Sequence, residues 1–450
     1  MKRKLLLCAL CLGVSLSLSG CFMRTVDEMY AIPRPPEEFQ NLDKTINETM
    51  AALGAEYAAP LSGSNTQNTQ LQDLDGDGVQ ESAVAFFRVP NAEKPLRIYI
   101  FTRQPDDSYQ TTCVIEDEGS AIYSIQYEDL GGSPAKEVIV SWQASINVHT
   151  LASYSLLPGE AMELMRTNYT KFHVMDIDMD NKKEIITLQI DALGESLSYA
   201  ELYDYDGTVM TLCSSAPLSA GITEFKSKKS GFLRDSVPSL FVASAYGDEK
   251  SQVVDILTAE DGKLKNVALD PATQVSHETM RYYVMGPQDI NGDAALELPQ
   301  SEALPEYNST AVAPNYWVLH WRQYDNKGNP YPVYTTYHNS SDGWYLILPD
   351  WWQGKITVSR RDLSSTGERR LVFARWNGPD REPTDFLTIY TLTGANRALR
   401  AELGNRQPLL EESGTIYACE FIENSWDCGL DRDSLLERFS LIRPEWFSEN

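Results

Sequence analysis

The chain has 450 residues, of which 42% are hydrophobic, and its formal net charge at pH 7 is −26. This length and apolar content suffice for one large or two medium domains with proper cores. The negative charge excludes nucleic acid and anionic lipid as main partners, because like charges repel. It is typical of a secreted, cation-binding surface.

Residues 1–20 form the first predicted element, a lipoprotein signal peptide. A basic start precedes an apolar run from Leu5 to Leu18, which is too short for a membrane-spanning helix. The Leu-Ser-Gly-Cys sequence that ends at Cys21 resembles the bacterial lipobox. The resemblance implies that Cys21 is diacylated with fatty acids such as palmitate, which anchors the protein at the extracytoplasmic face of the cell membrane. The alternative is a plain signal peptide with an incidental cysteine.

Two short elements follow the signal peptide. Residues 21–36 are predicted to be a tether, since they end in the stiff sequence Pro-Arg-Pro-Pro. Residues 37–60 are predicted to contain a helix, because their apolar side chains recur at helical spacing. Those side chains are Phe39, Leu42, Ile46, Met50 and Leu53. We expect the helix to pack on the domain that follows; the alternative role is association with another chain.

An acidic loop at residues 73–81 is the most distinctive stretch of the sequence. Its carboxylates stand at positions one, three, five and nine, and an apolar strand-like run follows at once. Oxygen ligands in a flexible loop are those that Ca²⁺ prefers, and Gly78 permits the sharp turn. The predicted ligands are Asp73, Asp75, Asp77, Glu81 and the backbone carbonyl of Val79. The alternative is a surface turn rich in Asp and Gly.

The frame of this loop recurs along the chain at intervals that indicate repeats of about 50 to 60 residues. A full copy contains Asp176, Asp178, Asp180 and Glu184. A weaker metal candidate contains Asp289, Asn291, Asp293 and Glu297. Degenerate copies begin at Asp129 and Asp235. About five units are recognisable over residues 61–335.

Each unit is predicted to consist of short antiparallel strands. Four strand-like runs follow the first loop, separated by turn residues: Ser82–Arg88, Leu96–Arg103, Tyr109–Ile115 and Ala121–Tyr127. Four strands per repeat is the composition of a β-propeller blade. The fold class predicted is therefore mainly β, a propeller with about five recognisable repeats and six or seven blades as alternatives.

The D-x-D-x-D-G-x-x-E loops ahead of a β-run resemble the FG-GAP/VCBS-type repeats of bacterial surface proteins and integrin α-chain propellers. The resemblance covers about 275 residues, and the first loop matches it best. It implies a binding scaffold stiffened by structural calcium. Asn181 replaces the glycine at position six of the third loop and tolerates the same backbone conformation. Ala294 stands there in the loop at Asp289, and the loops at Asp129 and Asp235 have lost most ligands. The resemblance therefore implies secure metal only at the first and third loops.

Residues 336–450 are predicted to form a small α+β domain, with closing blades as the alternative. Strands are expected at Lys355–Arg360, Arg370–Arg375 and Phe386–Leu392, and helices at Ala395–Leu403 and Asp431–Ile442. Helices of this kind do not belong to a regular blade.

The sequence contains none of the motifs that identify common catalytic sites, such as G-x-S-x-G, H-E-x-x-H or a nucleotide-binding glycine loop. Cys113 and Cys213 are expected to be buried thiols, while a bridge between Cys419 and Cys428 is left open. The aromatic clusters at Tyr316-Trp317, His320-Trp321 and Trp351-Trp352 are expected mainly in packing, with a ligand-binding surface as the alternative.

Together these features predict a membrane-anchored, extracytoplasmic binding or scaffold lipoprotein without turnover and without a catalytic residue. The expected partners are the membrane, through the lipid anchor, and a glycan or protein ligand. The alternative is a cell-surface hydrolase of glycan or peptide, with a site in the propeller funnel.

Overall fold

The computed structural model describes residues 37–191, 198–247, 251–280, 285–308, 315–363 and 368–443. The signal peptide, the tether and Cys21 lie outside the described residues. None of the described helices is long and apolar enough to cross a membrane.

The described chain consists mainly of antiparallel strands. Its longest helix is α1 (Glu37–Leu53), and two helices of five residues follow late in the chain, α2 (Arg397–Ala401) and α3 (Arg432–Leu436). The first half contains β1 (Glu56–Tyr57), β2 (Thr69–Gln72), β3 (Ser82–Arg88), β4 (Leu96–Arg103), β5 (Tyr109–Asp117), β6 (Ala121–Glu128), β7 (Glu137–Ser145), β8 (Val148–Leu157), β9 (Glu160–Tyr169), β10 (Lys171–Met175), β11 (Glu184–Gln189), β12 (Tyr199–Tyr205) and β13 (Met210–Pro217). The second half contains β14 (Ile222–Phe232), β15 (Pro238–Tyr246), β16 (Ser251–Glu260), β17 (Lys263–Asn266), β18 (Leu298–Ala303), β19 (Trp317–Tyr324), β20 (Pro330–Asn339), β21 (Trp344–Leu348), β22 (Ile356–Arg360), β23 (Arg369–Arg375), β24 (Thr384–Leu392), β25 (Gln407–Glu412), β26 (Thr415–Phe421) and β27 (Phe439–Leu441).

These strands form six sheets that follow one another along the chain. Sheet 1 contains β1 to β5, sheet 2 β6 to β9, sheet 3 β10 to β13 and sheet 4 β14 to β17. Sheet 5 contains β18 to β21 and β27, and sheet 6 contains β22 to β26. Sheets 2, 3 and 4 each have four antiparallel strands in chain order. The mainly β prediction is therefore confirmed.

The strands predicted after the first loop are present, but the unit boundary is shifted by one strand. The run at Ala121–Glu128 is the first strand of sheet 2, not the last strand of sheet 1. The loops at residues 129–137 and 176–184 thus connect the first and second strands of their sheets, the loop at residues 73–81 connects β2 and β3, and the loop at residues 289–297 precedes β18. Since four similar strands in sequence do not mark where a sheet starts, only the pairing decides this boundary.

Neighbouring sheets pack through shared hydrophobic clusters. Val84 and Phe86 of sheet 1 share a cluster with Val138 and Trp142 of sheet 2. Comparable clusters join sheets 2 and 3, sheets 3 and 4, sheets 4 and 5, and sheets 5 and 6. The alternation of side chains in a strand explains this, because each central strand presents apolar residues to both faces of its sheet.

Helix α1 covers the face of sheet 1 that points away from sheet 2. Leu42 and Ile46 of the helix are buried against Ala85, Phe87 and other residues of sheet 1. The prediction that this helix packs on the repeats is confirmed. At the other end of the series, α2 contributes Ala401 to a cluster on sheet 6.

The boundary predicted between residues 335 and 336 falls inside β20, and the chain beyond it supplies strands to both sheets 5 and 6. The helix predicted at Asp431–Ile442 is wrong in its second half. It ends at Leu436, and Phe439–Leu441 forms β27, which pairs with β21. Short apolar runs do not distinguish helix from strand. Here the packing of Phe439 against Trp344 favours the strand.

All four described cysteines are free thiols. Cys113, Cys419 and Cys428 are buried, whereas Cys213 is exposed. The expectation that Cys213 is buried is therefore wrong. Its strand, β13, has several exposed positions, and a strand-like sequence does not reveal which of its two faces is covered.

A buried carboxylate organises the junction between sheets 3 and 4. Asp255 in β16 has no exposed surface. It accepts hydrogen bonds from the amide and hydroxyl of Ser219, from the hydroxyl of Ser276 and from the side-chain amide of Asn266, at 2.7 to 3.0 Å. Four donors compensate for the loss of hydration that burial of a charge requires. The network ties two loops to β16 and β17.

Candidate metal-binding loops

The first, third and fifth loops (residues 73–81, 176–184 and 289–297) share one pattern of backbone hydrogen bonds. The carboxylate at position one accepts from the amides at positions four and six in all three loops. The side chains at positions three and five each accept from the amide two residues later. Hydrogen bonds from backbone amides to these side chains therefore hold all three loops in the same conformation.

Position six has a left-handed backbone conformation in each of these loops. The φ angles are 91° at Gly78, 68° at Asn181 and 73° at Ala294. Glycine and asparagine adopt this conformation readily, whereas alanine adopts it at a cost. The loop fold thus persists where the preferred residue is lost.

The first loop brings its four predicted acidic ligands together. Carboxylate oxygens of Asp73, Asp75, Asp77 and Glu81 lie within 4.8 Å of one another. One oxygen of Glu81, Oε2, is buried without a hydrogen-bond donor. Val79 lies at position seven, where its amide donates to Asp77 and its side chain is exposed. A cation held by these oxygens would relieve the repulsion among them.

The third loop has a more deeply buried cluster. Oxygens of Asp176, Asp178 and Glu184 lie within 4.8 Å of one another. Asp180, the fourth predicted ligand, instead lies 3.3 Å from the ammonium group of Lys182. Glu184 is only 1% exposed; its Oε2 accepts from the amide of Ile177, and its Oε1 has no donor in the part of the chain that the structure describes.

The electrostatics of the third loop follow from this arrangement. Burial, together with the nearby charges of Asp178 and Asp204, raises the pKa of Glu184 to about 8 against the opposing effect of the hydrogen bond from the amide of Ile177. Burial and the charge of Asp180 likewise raise the pKa of Asp178. A buried carboxylate oxygen without a donor is costly, and a divalent cation is a partner that would compensate for the missing donor.

The second and fourth loops lack such a cluster, as the sequence predicted. In the second loop (residues 129–137), Glu137 accepts from the amide of Leu130, and Asp129 accepts from the amide of Ser133. Positions three and five of this loop are Gly131 and Ser133, which carry no carboxylate. At Asp235 the loop is reduced to a tight turn closed by the amide of Leu233 and the carbonyl of Val237.

The fifth loop, predicted as the weaker metal candidate, has an amide at its centre. The side-chain NH₂ of Gln323 donates to Asp293 Oδ2 and to Glu297 Oε1, both at 2.7 Å. Glu297 also accepts from the amide of Ile290 through Oε2. Burial still raises the pKa of Glu297 to about 7, but each of its two oxygens has a donor.

The first three loops lie side by side. The amide of Lys136 donates to the carbonyl of Leu74, and Lys183 forms an ion pair of 2.6 Å with Glu128. The backbones of the first two loops approach so closely that a Cβ atom at Gly76 would lie 2.1 Å from the carbonyl oxygen of Pro134. Ordering one loop therefore constrains the junction between neighbouring sheets.

Two side chains near the loops were not predicted from the sequence, Asp204 and Gln323. Both belong to the strand that pairs with the strand following the loop. They lie 20 and 26 residues after the last residue of the loop, and no motif marks them. Only the strand register would have identified them.

The aromatic clusters have mixed environments. Trp321 and Trp352 are fully buried, as expected of packing residues, and the half-exposed Trp351 donates to the carbonyl of Cys428. Tyr316 and Trp317 instead line a cavity of about 380 Å³ together with Arg360 and other polar residues. A ligand with a flat apolar face could bind in this cavity.

Comparison with known proteins gives matches only among solved structures. No protein-family model matches the chain, and no curated protein matches it. The exotype rhamnogalacturonan lyase YesX is 15% identical with a TM-score of 0.31, over 73% of this chain and 66% of that protein, so the chain spans just under two thirds of its length. The Dos1 propeller is 9% identical with a TM-score of 0.27, over 81% of both chains. An exo-β-1,3-galactanase from Phanerochaete chrysosporium is 8% identical with a TM-score of 0.24, over 79% of this chain and 82% of that protein. At such values the similarity carries no conclusion about what this chain binds.

Proposed function

We propose that the protein is a lipid-anchored, extracytoplasmic binding or scaffold protein whose first and third loops bind calcium. The observation that carries the metal proposal is Glu184: its Oε1 is buried without a donor among the described residues, and one of its carboxylate oxygens lies within 4.8 Å of oxygens of Asp176 and Asp178. The first loop supports it with four carboxylates in the same arrangement. The ligands are hard oxygens in a flexible loop, which favours calcium.

The architecture proposed for the scaffold is a series of six propeller-type blades of the FG-GAP kind. Six consecutive antiparallel sheets, joined in order by hydrophobic clusters, support it. Helix α1 occupies the face of sheet 1 that the last blade of a closed ring would cover. That packing favours an arc of blades with a cap over a closed ring.

The role proposed for calcium is structural. The first and third loops flank the second, and all three are in contact along one edge of sheets 1 to 3. A cation in each acidic loop would hold the strands on either side of it and fix the sheet junctions. A rigid scaffold of this kind suits recognition, because binding residues are held in place on its loops. A glycan or a protein is the ligand class proposed, and the cavity beside Tyr316 and Trp317 supports the former.

Calorimetric titration of the full-length protein with calcium chloride tests the metal proposal. We expect two ions per chain, and one ion per chain after Glu184→Gln, because the substitution removes the charge at the most buried ligand. The matched control is Glu137→Gln, the same change at the equivalent position of the second loop, which should leave two ions. Titration without a binding signal in the native protein would contradict the proposal.

The anchor proposed at Cys21 has a separate test. Expressed in a bacterium that lipidates proteins, the chain should partition with membranes, because two or more acyl chains give stable anchoring. Mass spectrometry should find a mature N-terminus at Cys21 that carries acyl chains. Cys21→Ala should release the protein from the membrane fraction. An N-terminus at Met1, or an unmodified Cys21, would refute this part.

A further inference from the structure

In the third and fifth loops the ninth residue, called here the frame glutamate, has a partner directly opposite on the next strand. In sheet 3, Ile185 pairs with Tyr203, which places Asp204 opposite Glu184. In sheet 5, Leu298 pairs with Arg322, which places Gln323 opposite Glu297. The third and fifth loops therefore differ in the residue that faces the same point, a carboxylate in one and an amide in the other.

In the fifth loop the amide supplies the positive partners that its carboxylates need. Gln323 is only 4% exposed, and its NH₂ group bridges Asp293 and Glu297. A second amide, that of Asn291 at position three, donates to the same Asp293 oxygen at 2.8 Å. The centre of this loop is thus filled by N–H donors attached to the chain itself. Each oxygen that a metal would use there is already satisfied.

In the third loop, the side chain opposite the frame glutamate cannot donate a hydrogen bond in this way. Asp204 carries no donor, and one of its own oxygens accepts from the amide of Tyr205. Its negative charge adds to those of Asp178 and Glu184, whose pKa values it raises. Glu184 Oε1 remains without a donor. The third loop thus places several carboxylates close together, whereas amide N–H groups bind the carboxylates of the fifth loop.

We propose that the residue opposite the frame glutamate decides what stabilises the third and the fifth loop. Gln323 makes the fifth loop a metal-free loop closed by an amide, and Asp204 is a further acidic group of the calcium site in the third loop. The inference rests on the proposed calcium binding by the first and third loops. It replaces the earlier interpretation of the fifth loop as a weak metal site.

Gln323→Glu tests the first half, because it exchanges the donor for an acceptor of the same size. The full-length variant should bind three calcium ions where the native protein binds two, and it should unfold at a lower temperature in chelator. Gln300→Glu is the matched control, since it adds the same charge on β18 of the same sheet. That variant should still bind two ions. If Gln323→Glu folds only in excess calcium, gradual removal of calcium by a chelator should unfold it, which also supports the inference.

Asp204→Asn tests the second half, because it removes the charge and keeps the shape. Calcium affinity at the third loop should fall by about tenfold, as expected when one charge leaves an oxygen-ligand site, while the first loop is unaffected. Asp206→Asn, in the exposed turn at the end of β12, is the control and should leave both affinities unchanged.

The failures of the two proposals are distinguishable. Two ions in both the native protein and Gln323→Glu, or unchanged affinity in Asp204→Asn, would overturn this inference and leave the calcium proposal intact. Three ions in the native protein, with one lost after Asp289→Asn, would also overturn it. A native protein that binds no calcium would refute the proposed function, and this inference with it.

Discussion

The thermal unfolding midpoint of the full-length protein is expected to be about 5 °C higher in excess calcium than in chelator. A ligand that binds only the folded state stabilises it by about 2.7 kcal/mol per site when its free concentration is about 100 times Kd. Two such sites, in a chain of this size, correspond to a shift of that order. The third loop should contribute most, because its frame glutamate is the more deeply buried. Differential scanning calorimetry in the two conditions is the measurement.

The matched variants are Asp75→Asn with Asp178→Asn, which change position three of both loops to the residue that the fifth loop already has. They should abolish most of the calcium-dependent shift. Asp206→Asn, in an exposed turn of the same sheet as the third loop, should preserve the full shift. Identical melting curves of the native protein in calcium and in chelator would contradict the prediction.

Asp255→Ala is expected to be among the most destabilising single substitutions outside the hydrophobic clusters. It removes the acceptor for four hydrogen bonds, which come from the buried Ser219 and Ser276 and from the partly buried Asn266. We expect the free energy of unfolding to fall by about 4 kcal/mol, since unsatisfied buried groups and lost bonds to a charge both contribute. Denaturant titration monitored by tryptophan fluorescence measures this.

Asp255→Asn separates the loss of acceptors from the loss of volume. The carboxamide keeps one oxygen, so the variant should lie between the native protein and Asp255→Ala. Glu260→Ala changes an exposed carboxylate near the end of the same strand and should unfold close to the native midpoint. Native-like stability of Asp255→Ala would show that the network has no structural role.

Local pattern was sufficient to predict much of the molecule. The first four strands after the first loop were located to within one or two residues, because their alternation of apolar and polar residues is regular and turns separate them. The loop geometry also followed from sequence, since position-one carboxylates and left-handed residues determine the turn within a few residues. The helix at Glu37–Leu53 followed from its apolar spacing.

The errors concern features that depend on long-range pairing. The predicted boundary after residue 335 cuts through β20, and the second half of the predicted C-terminal helix is a strand that pairs with β21, more than 90 residues earlier in the chain. The sequence of a short apolar segment is compatible with a helix and with a strand, and the segment it pairs with determines which one forms.

The sequence by itself determined the mainly β fold, the repeated loops and most of the carboxylates that the first and third loops bring together. These properties depend on neighbours a few positions apart, which the chain brings together whatever the rest of the molecule does. Only the tertiary structure decided that Asp204 faces Glu184 and that Gln323 faces Glu297, because strand register places these residues opposite one another. The residue opposite matters because both glutamates are buried. A buried carboxylate needs a donor, a cation or a proton, whereas an exposed carboxylate is hydrated by water.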